Sequence, residues 1–338
     1  MSRVALLLPA RKPATASGQL FAAVSLSLAV LAAVLAGWAP LGFSIVTVFL
    51  FAGPHNWIEA RYFLARMPAR WGRLRGFFLL AFAGIIGLTI AFIALPWLLE
   101  ALDRSEQAWQ VALATWNSVL LLWIATLVYL RSRQNPRRDW SWFTPFAFGL
   151  IALVWIAPIQ WGLVIVYLHP LVALWILDRE LRRSRPEWRR AYHACLACLP
   201  LLLGLLWWRL ASMPNLPGDD VLTEAITRHA GAGILDGIST HLLVAAHTFL
   251  EMIHYSVWLV AVPLVGLRGA PWRLQTVPLA RRSPSWNRVV IGVLIAGGLV
   301  VLGLWACFLA NYPTTRDVYF TVALLHVLAE VPFLLRAL

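Results

Sequence analysis

The chain has 338 residues, of which 61% are hydrophobic and only 13% charged, and its mean hydropathy is +0.74. A soluble domain is about 45–50% apolar, so soluble enzymes, disordered chains and secreted disulfide scaffolds are excluded and an integral membrane protein remains. A net charge of +13 would suggest nucleic-acid binding in a soluble chain. Here nearly all the basic residues sit in short gaps between apolar stretches, where they set topology, so no nucleic-acid partner is expected.

Residues 1–18 read as a cytoplasmic tail, because the apolar run Val4 to Leu8 is too short for the core of a signal peptide. The rest, 19–338, reads as a single transmembrane domain. About 20 apolar residues cross a hydrocarbon core of about 30 Å, and ten such segments follow in order: 19–38, 42–60, 76–99, 108–130, 140–157, 159–178, 192–211, 236–265, 289–310 and 318–337. Only Ala157 and Pro158 divide the fifth from the sixth, so the count is ten, or nine if that pair forms one broken helix. The longest outer connection, 212–236, carries Asp219, Asp220 and Glu224 and has room for a short surface helix.

Charge orients these segments. With the N terminus inside, 24 of the 28 basic residues fall on the inner side, and only Arg104, Arg209, Arg228 and Arg316 fall outside. Adding or removing one mid-chain span would destroy that asymmetry, so it supports ten spans with both termini cytoplasmic. The expectation is an all-α, polytopic helical protein of a bacterial inner (plasma) membrane. Cys195, Cys198 and Cys307 lie in apolar runs and read as packing residues. Tryptophans beside charged loops, such as Trp71, Trp140, Trp142, Trp188, Trp272 and Trp286, read as interfacial belts.

An ionisable side chain at the centre of a membrane helix costs about 2.5–3.5 kcal/mol on insertion scales, so each one kept there is a functional hypothesis. The second span has His55, Asn56 and Glu59 directly after Gly53-Pro54, and the sixth has His169 with Asp178 at its inner end. The eighth has His241, His247, Glu251 and His254, and the tenth has His326 and Glu330. Histidine followed four residues later by glutamate occurs three times, at His55/Glu59, His247/Glu251 and His326/Glu330. Residues four apart share a helix face, so each pair can aim an imidazole and a carboxylate at one place. His254 extends the stripe on the eighth helix.

Counting inward, these groups reach similar depths, and four helices are expected to converge on one buried cluster. His55, His169, His247, His254 and His326 are the candidate metal ligands, with Glu59, Glu251 and Glu330 as catalytic carboxylates. Imidazole and carboxylate together suit iron, zinc or another divalent metal. His193, His229 and His241, near interfaces or in loops, read as locally bonded side chains.

Several chemistries lack their signatures. No H-x-x-x-H or H-x-x-H-H box, P-loop, G-x-G-x-x-G or Gly-x-Ser-x-Gly occurs. The run Gly53-Pro54-His55-Asn56-Trp57-Ile58-Glu59 resembles the Gly-x-Pro-His-Gly-x-x-Asp stretch of the Brp/Blh family of membrane β-carotene dioxygenases, with Asn56 and Glu59 in place of the glycine and aspartate. His247 and His254, seven residues apart where the family has four, look like its paired histidines. The resemblance implies a polytopic helical enzyme with histidine-bound Fe(II) that cleaves a polyene with dioxygen. It also implies His55 as a ligand, with His247 and His254 as ligand candidates.

The expected function is therefore that of a membrane-embedded, metal-dependent oxidoreductase, with iron as the metal, acting on a lipid or isoprenoid/carotenoid substrate through the His/Glu cluster. Alternatives from other classes are a proton- or cation-coupled transporter using the same His/Glu groups as a relay, heme b held by a histidine pair such as His169 and His254, and a scaffold subunit with basic loops.

Overall fold

A computed structural model of the protein describes residues 14–102, 105–134, 139–267 and 269–337, without the side chains of 14–17. The first 13 residues of the expected tail, and Arg104, Arg137, Arg138 and Arg268, lie outside the described residues. Among the described residues the chain is helical, with no strand. The elements are α1 (Ala14–Trp38), α2 (Pro40–Arg66), α3 (Arg75–Leu102), α4 (Glu106–Gln134), α5 (Phe143–Ile156) and α6 (Pro158–Ser184). After them come α7 (Arg189–Leu210), α8 (Val221–His229), α9 (Thr240–Ser256), a π-helical turn (Val257–Ala261), α10 (Val262–Val265), α11 (Pro284–Ala310) and α12 (Tyr312–Ala337).

Nine of the described helical stretches are long and apolar enough to cross a bilayer, with α9, the π turn and α10 forming one of them. The expected fifth span is the exception. The 14 residues of α5 rise only about 21 Å at 1.5 Å per residue, short of a core of about 30 Å. The chain still reverses there. Trp140 and Phe143 pack with the cluster around Leu127 and Val128, while Trp155 donates to Ser118, so α5 runs antiparallel to α4.

The α5–α6 break falls on Ala157 (φ −142°, ψ 65°), and the α1–α2 break on Ala39 (φ −140°, ψ 67°). Each alanine precedes a proline. Proline pushes the residue before it out of the helical region and is itself favoured at the first position of the next helix. One residue therefore suffices for each turn. The first helix starts at Ala14, so the last five residues of the expected tail, 14–18, are helical. The surface helix expected in the longest outer connection is α8, whose N terminus is capped by Asp220 accepting from the Thr223 N–H at 2.8 Å.

Arginines tie the helix ends together on one side of the bundle. Buried Glu180 on α6 accepts from Tyr62 at 2.8 Å and from Arg66. Arg61 donates to Thr276 and the Arg273 carbonyl, Arg131 to the Leu335 carbonyl, and Arg336 to the Arg66 carbonyl. Asp178 belongs to this side too, held by Arg189 and His193 at 2.8 Å each. It forms an ion cluster rather than part of an intramembrane site.

Tryptophans clasp helices as well as edging the membrane. Trp57, Trp116, Trp123 and Trp305 donate their indole N–H groups to the Leu294, Leu88, Leu80 and Phe49 carbonyls of neighbouring helices. Trp188, expected in a belt, is buried and stacks on Phe21. Gly84 makes the Trp123 clasp possible, since a Cβ there would lie 1.9 Å from the indole nitrogen.

Candidate metal centre

Four helices bring one histidine each to the middle of the bundle: His55 from α2, His169 from α6, His254 from α9 and His326 from α12. Their ring centroids are 4.4 Å apart for His169/His254 and 5.1 Å for both His55/His326 and His169/His326. Glu59 and Glu330 join from the following turns of α2 and α12. His55, Glu59, His254 and His326 each offer one ligand atom to a group whose members lie within 4.8 Å of one another, and so do His169, His254 and Glu330.

Local sequence explains why the backbone opens at these positions. Pro54 precedes His55, Pro170 follows His169, and Pro332 lies two residues beyond Glu330. Each proline lacks the N–H that would bond the carbonyl four residues back, interrupting the ladder beside the site. On α9 the interruption is the π turn just after His254, where Pro263 follows. Such turns occur often at functional sites. All four site helices thus carry an irregularity within two turns of their ligand atoms.

The polar atoms at this centre are desolvated but largely unmatched. His55 Nδ1 donates to the Phe51 carbonyl at 2.9 Å, which leaves Nε2 free to act as a base or ligand. His55 Nε2, both nitrogens of His254, both carboxylate oxygens of Glu59 and both of Glu330 are buried without a hydrogen-bond partner. His169 Nδ1 lies 3.1 Å from Glu330 Oε2 without the alignment of a hydrogen bond, and His169 Nε2 lies 3.2 Å from His326 Nε2. A buried unpaired polar group costs about 1–3 kcal/mol, so a cluster of them is a strong sign that something else satisfies them. Neutral imidazoles and carboxylates are the donors that a divalent transition metal takes.

The expected single cluster is in fact two. His247 and Glu251 lie apart from the four-helix centre and form a group with His229, again with ligand atoms within 4.8 Å of one another. His229, expected to serve only local bonding, reaches this place from the C-terminal end of α8, where its ring lies 4.2 Å from Phe320 and 5.0 Å from His247 between centroids. Burial, with His247 and Arg316 nearby, holds the His229 imidazole well below its ordinary range and therefore neutral. His193 pairs with Asp178, and His241 lies 2.6 Å from the Pro214 carbonyl, so both serve local structure.

A cavity of about 460 Å³ connects the two groups. Its walls are mostly apolar, with Phe92, Trp116, Ile165 and Leu324 among them, and Asn117, Tyr255 and Tyr319 add polar groups. Heme b between His169 and His254 does not fit. Their rings, 4.4 Å apart, are already close to contact and leave no slot for a macrocycle. No family model, curated protein or solved structure matches this chain.

Proposed function

We propose that the protein is a membrane-embedded, metal-dependent oxidoreductase that holds iron at the four-helix centre and acts on a lipid or isoprenoid from the bilayer. The observation that carries this reading is the convergence of unpartnered, buried imidazole nitrogens and carboxylate oxygens from α2, α6, α9 and α12 in two overlapping groups that share His254. His55, His169, His254 and His326 would hold the metal. Glu59 and Glu330 supply two negative charges, which balance a divalent cation in a medium where an uncompensated charge is costly. Iron bound there supplies dioxygen activation and one-electron chemistry.

The residues around it do the rest. The Phe51 carbonyl fixes the His55 tautomer, so that Nε2 faces the centre as a lone-pair donor. Asn56 donates to the Tyr319 hydroxyl at 3.4 Å, and Tyr319 donates to the Ala52 carbonyl at 3.4 Å, which braces α2 against α12 beside His55. The apolar wall of Phe92, Trp116 and Leu324 excludes water and receives a hydrocarbon chain. A carotenoid-like polyene is the substrate suggested by the likeness of residues 53–59 to the Brp/Blh stretch. By the positive-inside rule the arginine-rich end faces the cytoplasm, which fits a bacterial inner membrane.

The test is elemental analysis and an optical spectrum of detergent-purified protein beside His55→Ala and His254→Ala. Iron is expected to fall by about one atom per chain in both variants. Unchanged iron in both would overturn the assignment.

A further inference from the structure

The outer group differs from the four-helix centre in its elements, its depth and its surroundings. His247 precedes His254 by seven residues on α9, which is about 10 Å along the axis at 1.5 Å per residue. The pair His247/Glu251 occupies one face of α9, with Nδ1 and Oε2 3.5 Å apart. The contact makes no hydrogen bond, and Glu251 Oε2 is buried with no partner. The pair therefore does not satisfy itself.

The third member comes from outside the spans. Asp220 anchors the start of α8, and the Tyr167 hydroxyl donates to the Ala230 carbonyl just past its end, at 2.8 Å. His229 is thus delivered to α9 by a short helix fixed at both ends. Arg316, the buried cation on this side, packs over Phe320 at 4.6 Å and lies 4.0 Å from Asp317. It makes no hydrogen bond to Glu251 Oε2, whose lone pairs stay free.

We propose that His229, His247 and Glu251 form a second divalent-cation site, separate from the four-helix centre. Two imidazoles and one carboxylate are a donor set that zinc and ferrous iron take while keeping positions open for water or another ligand. The site joins α8 to α9 where Arg228, His229 and Ile234 line the cavity. A cation there pins α8 across the outer part of the cavity, because metal binding stabilises the arrangement that assembles its ligands.

Zinc is the probe. The full chain, purified in detergent and stripped with chelator, is titrated with Zn²⁺ and the bound metal is counted per chain. Wild type is expected to bind two equivalents, and His229→Ala, Glu251→Gln and His254→Ala one each. The combined His229→Ala/His254→Ala protein is expected to bind none. Glu251→Gln keeps the shape of the side chain, so loss of zinc there reports the ligand rather than the fold.

Zinc should also slow trypsin cleavage at Arg228 several-fold in wild type and His254→Ala, and not in Glu251→Gln. Zinc stoichiometry in His229→Ala and Glu251→Gln equal to wild type would overturn the outer site. If those variants match wild type while His254→Ala loses the metal, the outer site falls and the four-helix centre stands. The reverse pattern removes the four-helix centre and keeps the outer site.

Discussion

His55 and His254 meet edge to face, with centroids 5.3 Å apart and ring planes at 80°, and neither satisfies the other. The Nδ1 of His55 is committed to the Phe51 carbonyl, while both nitrogens of His254 lack a partner. Two buried imidazoles in this relationship weaken the protein unless a ligand satisfies them, which is the role proposed for the metal.

Replacing His254 with Leu tests this directly. In metal-free protein the variant is expected to unfold at a higher Tm than wild type, because an unsatisfied group costing about 1–3 kcal/mol is removed. With iron or zinc in excess the order reverses, since only wild type gains the linkage stabilisation of a bound ligand. Thermal unfolding in detergent, with and without metal, checks both halves. A variant less stable than wild type in chelator would contradict the first.

Glu180 is the keystone of the arginine-rich end, accepting from Tyr62 and Arg66 while itself buried. Glu180→Ala should cost about 3–5 kcal/mol, the usual result of breaking one side of a buried ion pair. Tyr62→Phe removes a single hydrogen bond and should cost about 1 kcal/mol. Denaturation of the two variants side by side should show that ratio.

Gly84→Ala places a methyl group 1.9 Å from the Trp123 indole nitrogen and breaks its bond to the Leu80 carbonyl. Overpacking of this kind costs about 1–3 kcal/mol or more. Adding Trp123→Leu to Gly84→Ala should recover part of the loss. Strictly additive destabilisation in the double variant would show that the two residues are uncoupled.

Hydrogen bonds from Thr223 hold the Asp220 carboxyl below its usual range. A depressed carboxyl contributes stability that is present above its unfolded value, near 3.8, and is lost as pH falls through the folded value. The cap on α8 should therefore hold at neutral pH and weaken in acid. Asp220→Ala should speed trypsin cleavage at Arg228 at neutral pH, and Asp220→Asn should be cleaved more slowly than Asp220→Ala because an amide oxygen still accepts from the Thr223 N–H.

The spans were legible because hydrocarbon thickness fixes both their length and their composition. α5 departs from that rule because its 14 residues end where the Ala157-Pro158 break stops the helix, so its boundary follows the proline rather than hydropathy. The His55/Glu59 and His326/Glu330 pairs were readable from spacing, and the structure brings both to one centre. The same spacing misplaced His247/Glu251. Residues four and seven apart share a face but not a depth, and seven residues of α9 are enough to separate two groups. His229 carried no periodic signal at all, since its position depends on how α8 docks. The only hint was Asp220 and Thr223 at cap spacing ahead of it.

The shortness of α5 has a consequence for the lipid. A wall of about 21 Å against hydrocarbon of about 30 Å is a hydrophobic mismatch, and a bilayer accommodates a short segment by thinning beside it. The end of α5 leads directly into Pro158, Ile159 and Gly162, which line the cavity. Headgroups drawn inward at α5 bring the boundary between water and acyl chains to the rim of that cavity, so an amphiphile lying there meets it polar end outward.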